Sequence, residues 1–375
     1  MALECAASEV SAGQLGLLAF YLSVSLVPFT VGADALANLG RWGWAAALPA
    51  AALGLGGAWI AAGLRRRDDQ DSVVATARRL AGPWVGAAYG AVLAIVLSLA
   101  AALTLHALAQ VVRAELLPTL PAWIPAGIGA GICAYGAFLG LGALCRWAQV
   151  LALVVVPALA ATLLVPWINA EPAQLQPLWA VPWGGLWHGW ASFALAAGSG
   201  FAPLLFVAPA GGPAGPANPG PQVCGGQACA AAVWILASAL PIAVLGPEVA
   251  NLVRFPLLRT VGTVTWRWLP LHRLGVLSVA AWAFLAYVTV AVDACLGAAA
   301  WRQALGRAAA LGQAGPEPGR LVAALIAAAA GAAACWSPGS GANAMVLSAW
   351  GFAALGALFA VPALLLVLPR RAAPP

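Results

Sequence analysis

The sequence predicts an all-α integral membrane protein of about ten transmembrane helices, and three observations carry that expectation. Of 375 residues, 63% are hydrophobic and only 7% charged, whereas a soluble domain carries roughly 25% charged residues. Mean hydropathy is +0.93. Apolar runs long enough to cross a bilayer, about 20 residues each, recur from one end to the other. Hydrocarbon tolerates no unpaired backbone polar group, so these runs are read as helices, in keeping with their alanine and leucine content.

The predicted spans are 12–37, 43–63, 84–112, 122–141, 147–167, 185–210, 226–246, 275–299, 320–336 and 343–368. They make one membrane domain, 1–375, with a first half over 12–167 and a second over 185–368. Ser11 is placed to cap the first helix. Turn signals separate later spans at Leu117–Pro121, Asn169–Pro177 and the Gly/Pro-rich Gly211–Gly220. The N-terminus carries Glu4 and Glu9 without a basic region, so the first span reads as a retained anchor rather than a cleaved leader.

All 17 basic residues are arginine, and the net charge is +6. Arg65, Arg66, Arg67, Arg78 and Arg79 form the densest cluster, between the second and third spans. Basic loops stay in the cytoplasm, which puts this loop and both termini inside, together with eleven of the 17 arginines. The segment from Gly246 to Leu274 dissents: it would lie outside yet carries Arg254, Arg259, Arg267 and Arg273. It reads either as a surface helix pair lidding an outer vestibule or as a passive interfacial stretch. Cys133, Cys145, Cys229, Cys295 and Cys335 lie in or beside apolar segments and act as small hydrophobes, and Cys224 with Cys229 lacks further ligands for a metal.

Two spans are interrupted. The first contains Ser23-Val24-Ser25-Leu26-Val27-Pro28 with Gly32 beyond, and the sixth contains Gly198-Ser199-Gly200-Phe201-Ala202-Pro203. Proline deletes a backbone donor, and glycine tolerates unwound geometry. If the chain is two five-helix repeats of opposite topology, these spans correspond, and matched interruptions point to a transporter binding site. Ser23, Ser25, Pro28, Gly198, Ser199, Gly200 and Pro203 are therefore the candidate substrate-binding residues. Free N–H groups at the half-helix ends suit a carboxylate. The alternative is kinking alone, with Ser23, Ser25, Thr30 and Ser199 bonded to their own helix.

Around these breaks the sequence resembles a known family. Val10-Ser11-Ala12-Gly13-Gln14-Leu15, the interrupted first span and Gly40-Arg41-Trp42-Gly43-Trp44 are similar to the opening of spore germination permeases. These are the B subunits of nutrient germinant receptors, in the amino acid–polyamine–organocation superfamily. The likeness continues through Gly140-Leu141-Gly142-Ala143-Leu144-Cys145-Arg146-Trp147-Ala148-Gln149, Leu175-Gln176-Pro177-Leu178-Trp179 and Val253-Arg254-Phe255-Pro256-Leu257-Leu258. The resemblance implies a LeuT-like fold of two five-helix inverted repeats with helices 1 and 6 broken. It also implies a small nutrient ligand, commonly an amino acid, two partner subunits and the inner membrane of a spore. Family members often carry a charged residue just after the second break, where this chain has Gly200-Phe201-Ala202-Pro203.

Asp293, following Tyr287 and Thr289, is the acidic residue set most deeply in an apolar span. An ionised carboxylate there costs several kcal/mol unless it is paired, binds a cation or takes up a proton. In the fold this chain resembles, helix 8 meets helix 1 at a cation site, so Asp293 is the candidate for proton or monovalent-cation coupling, opposite Ser25 or Pro28. The other reading pairs it with an arginine such as Arg146. His106 is either a ligand group or a satisfied polar anchor, and His188 with Trp183, Trp187 and Trp190 reads as an interfacial belt. The three histidines have no acidic neighbour suited to catalysis, and no phosphate loop, zinc pattern or nucleic-acid module occurs. The expectation is a nutrient-sensing, permease-like membrane protein that is not an enzyme and uses no cofactor beyond such an ion. The competing reading is a free-standing proton- or cation-coupled amino-acid or polyamine transporter.

Overall fold

The computed structural model describes residues 10–30, 40–67, 72–176, 200–207, 219–264, 274–306, 317–335 and 350–368, all helical or in short connections. The first crossing is helix α1 (Ala12–Val24), a turn at Ser25 and Leu26, and the short α2 (Val27–Thr30). The second is a 3-10 turn (Gly40–Ala46) running into α3 (Ala47–Arg67). Then follow α4 (Val73–Ala81), α5 (Pro83–Val111), α6 (Trp123–Leu139) and α7 (Leu141–Leu164). The sixth crossing is described only over 200–207, with α8 (Ala202–Phe206). The second half continues with α9 (Gly220–Leu245), α10 (Pro247–Leu252), α11 (Pro256–Gly262), α12 (Leu274–Ala304), α13 (Glu317–Cys335) and α14 (Trp350–Val367). Among the described residues six helices are long and apolar enough to cross a membrane, and three shorter apolar helices accompany them.

The local chemistry of these helices is direct. Ser11 accepts from the Gln14 backbone N–H while Gln14 Oε1 accepts from the Ser11 N–H at 2.8 Å, a reciprocal cap that starts α1. The fifth crossing begins at Leu141 rather than 147, because Gly140, at φ +90°, makes the turn by itself. Arg146 and Gln149 lie on an exposed face of α7. The seventh begins at Gly220 rather than 226. Its glycines are helical, and Gly226 serves as a contact: a Cβ there would stand 2.1 Å from the Gly16 carbonyl oxygen. Small residues let membrane helices approach this closely. Helix α4 was not expected. It is short and amphipathic, burying Val73, Val74, Ala77 and Leu80, and its arginines made it look like loop. The dissenting segment after α9 does form two short helices, α10 and α11.

Helix α1 packs most extensively on α9. Helix α3 packs on α9, α5 on α12 and α6 on α13, which are the second, third and fourth crossings against the seventh, eighth and ninth. The first and sixth crossings also touch, through α1 and α8. Central to all of this is α12, buried through most of its length. Trp350 Nε1 donates to the Val96 carbonyl at 2.8 Å, and the Tyr89 hydroxyl donates to that of Ala357 at 2.9 Å, pinning α14 to α5.

His106 Nδ1 lies 2.8 Å from the Ala334 carbonyl oxygen and joins α5 to α13. A carbonyl only accepts, so Nδ1 carries the proton. The bond makes His106 an anchor. Replacing His106 with Leu is expected to cost about 1 kcal/mol of stability and to leave ligand-dependent stabilisation intact, as read by paired thermal melts.

The arginine cluster acts as a set of helix-end donors. Arg65 Nε donates to the Leu204 carbonyl of α8 at 2.8 Å, Arg67 to the carbonyls of Leu365, Leu366 and Leu368, and Arg78 Nη1 to that of Gln303 at 2.6 Å. Cations satisfy the orphan carbonyls and the negative dipole end of a helix. The C-terminal ends of α3, α8, α12 and α14 thus gather on one face.

Candidate functional site

The two interruptions meet in the interior. After Val24 the first crossing turns at Ser25 and resumes at Val27, since Pro28 cannot supply the N–H that the Val24 carbonyl would otherwise receive. Ser23, Ser25 and Pro28 are buried. On the sixth crossing Gly200 sits directly before the Phe201 turn, and Pro203 lies in the buried first turn of α8. A Cβ at Gly200 would fall 1.8 Å from Ser23 Oγ and 2.9 Å from the Ala19 carbonyl oxygen. Ser23, Ser25, Pro28, Gly200 and Pro203 therefore lie along two segments in contact. Gly198 and Ser199 lie outside the described residues, as do His188 and its neighbouring tryptophans.

The hydroxyls at the first break are occupied. Ser23 Oγ donates to Gln227 Oε1 at 3.0 Å, and Ser25 Oγ donates to the Leu22 carbonyl of its own helix at 3.1 Å. Trp234 Nε1 donates to the Ser23 carbonyl at 3.0 Å. Helix α9 thus contributes Gln227 and Trp234 to the break, which sequence reasoning missed; a polar amide in an apolar span was the available signal. Gln227 Nε2 has no acceptor among the described residues and points at Gly200, 2.3 Å from where a Cβ would be. An unmet buried donor costs about 1–3 kcal/mol. Among the described residues it is a side-chain N–H at the junction placed to meet an acceptor.

Asp293 is fully buried near the middle of α12, the helix that packs against both α1 and α8. Neither of its carboxyl oxygens has a hydrogen-bond partner among the described residues, and Arg146 is exposed on α7 rather than paired with it. Thr289 Oγ1 and Ser278 Oγ, also buried, lack partners too. Spacings of four and eleven residues put Ser278, Thr289 and Asp293 on one stripe of α12. Gly297, one turn beyond Asp293, abuts α5: a Cβ there would lie 3.3 Å from Ser98 Oγ, and one at Gly90 on α5 would lie 3.1 Å from the Ala300 carbonyl oxygen. The pair is antiparallel, and this register brings Thr104, whose buried hydroxyl is also unpartnered, level with Thr289. Buried polar atoms are nearly always bonded. Asp293 and Thr289, one turn apart on the helix that packs against α1 and α8, suit a proton or a small cation held by oxygen ligands, whereas Ser278 lies about 16 Å further along α12.

Comparison with known proteins agrees with this architecture. Compared by sequence with curated proteins, the chain has no significant match. Among solved structures it is similar to a Na+-coupled sialic acid symporter in a substrate-bound, outward-open state, at 11% identity and a TM-score of 0.58 over 93% of this chain and 76% of that one. At this identity the likeness speaks for the fold, a LeuT-like arrangement of membrane helices. The family model for spore permeases, described as spore germination proteins, matches residues 10–306. With most of its length matched, including both interrupted crossings and Asp293, the chain belongs to the spore permease family of spore germination proteins.

Proposed function

We propose that this protein is the nutrient-sensing, permease-like subunit of a spore germination receptor. It binds a small molecule, an amino acid by preference, at mid-membrane where the first and sixth crossings meet. The observation that supports this reading most is the contact of the two interrupted segments with each other and with α12, whose buried Asp293 carboxylate has no partner among the described residues. In this reading the two five-helix repeats span 12–167 and 185–368, and Ser23, Ser25, Pro28, Gly198, Ser199, Gly200 and Pro203 surround the ligand. Gln227 adds an amide donor for its carboxylate. Asp293 carries the proton or monovalent cation. The ligand shifts the protein between conformations only through unequal affinity for them, and two further receptor subunits read that shift. Both termini face the cytoplasm from the spore inner membrane.

A second reading, a free-standing cation-coupled amino-acid or polyamine transporter, draws on the Na+-coupled symporter of similar fold. One pair of measurements separates them. Purified protein is screened by thermal melting against amino acids, sugars and nucleosides, and a ligand at 100 times its Kd is expected to stabilise it by about 2.7 kcal/mol, with the gain lost in Ser25→Trp. Proteoliposomes holding this chain alone are then given the labelled hit. Uptake favours the transporter; binding without uptake favours the receptor subunit. If no compound stabilises the protein, the binding reading fails.

A further inference from the structure

An apolar groove of about 620 Å³ lies between α3 and α14. Pro49, Leu53, Gly56 and Ile60 form one wall, with Leu355, Gly356 and Phe359 on the other. Two features of the sequence create it. Gly56 and Gly356 leave it open, since a Cβ on either would meet nothing within 4 Å. Helix α14 also widens into a π turn at Gly356–Ala360, whose Ala357 carbonyl is tied to Tyr89. Exposed Leu55, Trp59, Phe352 and Leu364 flank the groove, so it opens toward hydrocarbon rather than water.

We propose that this groove holds one acyl chain of a membrane phospholipid. Its dimensions select that occupant. From Pro49 to Ile60 the wall runs about 16 Å at the helical rise of ~1.5 Å per residue, a length that one acyl chain covers in crossing about half of the ~30 Å hydrocarbon core. Toward the arginine end the groove is shut: Leu366 covers Gly63, and Arg67 is bonded to the carbonyls of Leu365, Leu366 and Leu368. The chain therefore enters from the leaflet on the side away from Arg65, Arg66 and Arg67. A partner helix or a second copy would need contact along most of the span, and the groove floor is a small fraction of the ~800 Å² per partner that a stable interface buries. Phe359, on the α14 wall, stands edge-on to Phe201 with ring centroids 4.8 Å apart. Phe201 is the residue between Gly200 and α8, so a lipid against Phe359 bears, through that ring, on the side chain next to the second break.

The test uses full-length protein in nanodiscs of phosphatidylcholine bearing a mid-chain photoreactive group, with labelled peptides mapped by mass spectrometry. Labelling is expected to concentrate on 49–60 and 355–363, above that of Leu153 and Val154, which are exposed on α7. Gly56→Leu and Gly356→Leu, made separately, each start from a Cβ that meets nothing within 4 Å and are expected to lower groove labelling by roughly tenfold, the change that excluding about two methylenes produces. Their melting temperature and their labelling on α7 are expected to hold. Equal labelling of groove and α7, or groove labelling unchanged in both variants, overturns the proposal in favour of bulk lipid. A crosslink between two copies through Ala52→Cys overturns it in favour of a protein occupant.

Discussion

Gly200→Ala is expected to remove most of the folded protein from membranes, and to leave what remains without ligand-induced stabilisation. The added methyl would lie 1.8 Å from Ser23 Oγ, 2.3 Å from Gln227 Nε2 and 2.9 Å from the Ala19 carbonyl oxygen. Two of those atoms belong to side chains that could rotate, at the cost of the Ser23–Gln227 bond. The third is backbone, so α1 itself must withdraw. It cannot do so freely, because Gly16 and Gly226 already bring α1 and α9 into backbone contact. Overpacking of a close contact costs about 1–3 kcal/mol, occasionally more, and here it parts the two segments proposed to hold the ligand. Gly225→Ala is the control: its Cβ meets nothing within 4 Å on the same stretch of α9, and it should melt like the parent. Fluorescence-detected size exclusion and thermal melts of the three proteins decide the matter. A Gly200→Ala protein as abundant and as stable as Gly225→Ala would mean that the first and sixth crossings do not touch there.

The second large effect is expected at Asp293. Asp293→Asn keeps the shape and some hydrogen-bonding capacity of the side chain but removes its ability to bear charge. The fold should tolerate it, since the parent carboxylate contributes no ion pair among the described residues and an uncompensated charge in that setting costs several kcal/mol. What should disappear is the dependence of ligand affinity on pH or on monovalent cation. Coupling between two sites is typically worth 5–150-fold in affinity, so that factor should fall to about one. The measurement is a set of ligand titrations in nanodiscs across pH and with Na+, K+ or an organic cation, for parent and variant. If the variant keeps the parent's pH and cation response, Asp293 is a packing residue. Thr104→Val, on the facing helix, is the milder companion: it should weaken a cation effect if the threonine hydroxyls share the site, and leave a proton effect alone.

Much of the architecture was legible in the chain because a bilayer applies one simple rule along its whole thickness. Apolar length gave the crossings and the two helix breaks, since Pro28 and the Gly200–Pro203 run act locally on backbone hydrogen bonding. The segment after α9 was legible as too polar to cross, but its sequence left a helix pair and a passive interfacial stretch both open, and the fold forms α10 and α11 there. Errors arose where amphipathic helix resembles loop. Arg146 and Gln149 belong to the exposed face of α7, the glycines from Gly220 begin α9, and α4 is a surface helix whose buried stripe is too short to register as a span.

Residue chemistry alone thus determined that this protein lives in a membrane, about how many times it crosses, where two crossings break, and that Asp293 is buried. Which groups face one another was settled only by the folded chain. Ser25, the expected ligand hydroxyl, is bonded to Leu22, while Gln227 and Trp234, far away in sequence, reach the first break. The arginines that signalled orientation hold the carbonyl ends of three other helices. The physical reason is that hydropathy and backbone breaks are properties of a segment and its solvent, whereas hydrogen-bond partners and close glycine contacts depend on the register between helices, which a one-dimensional pattern does not contain.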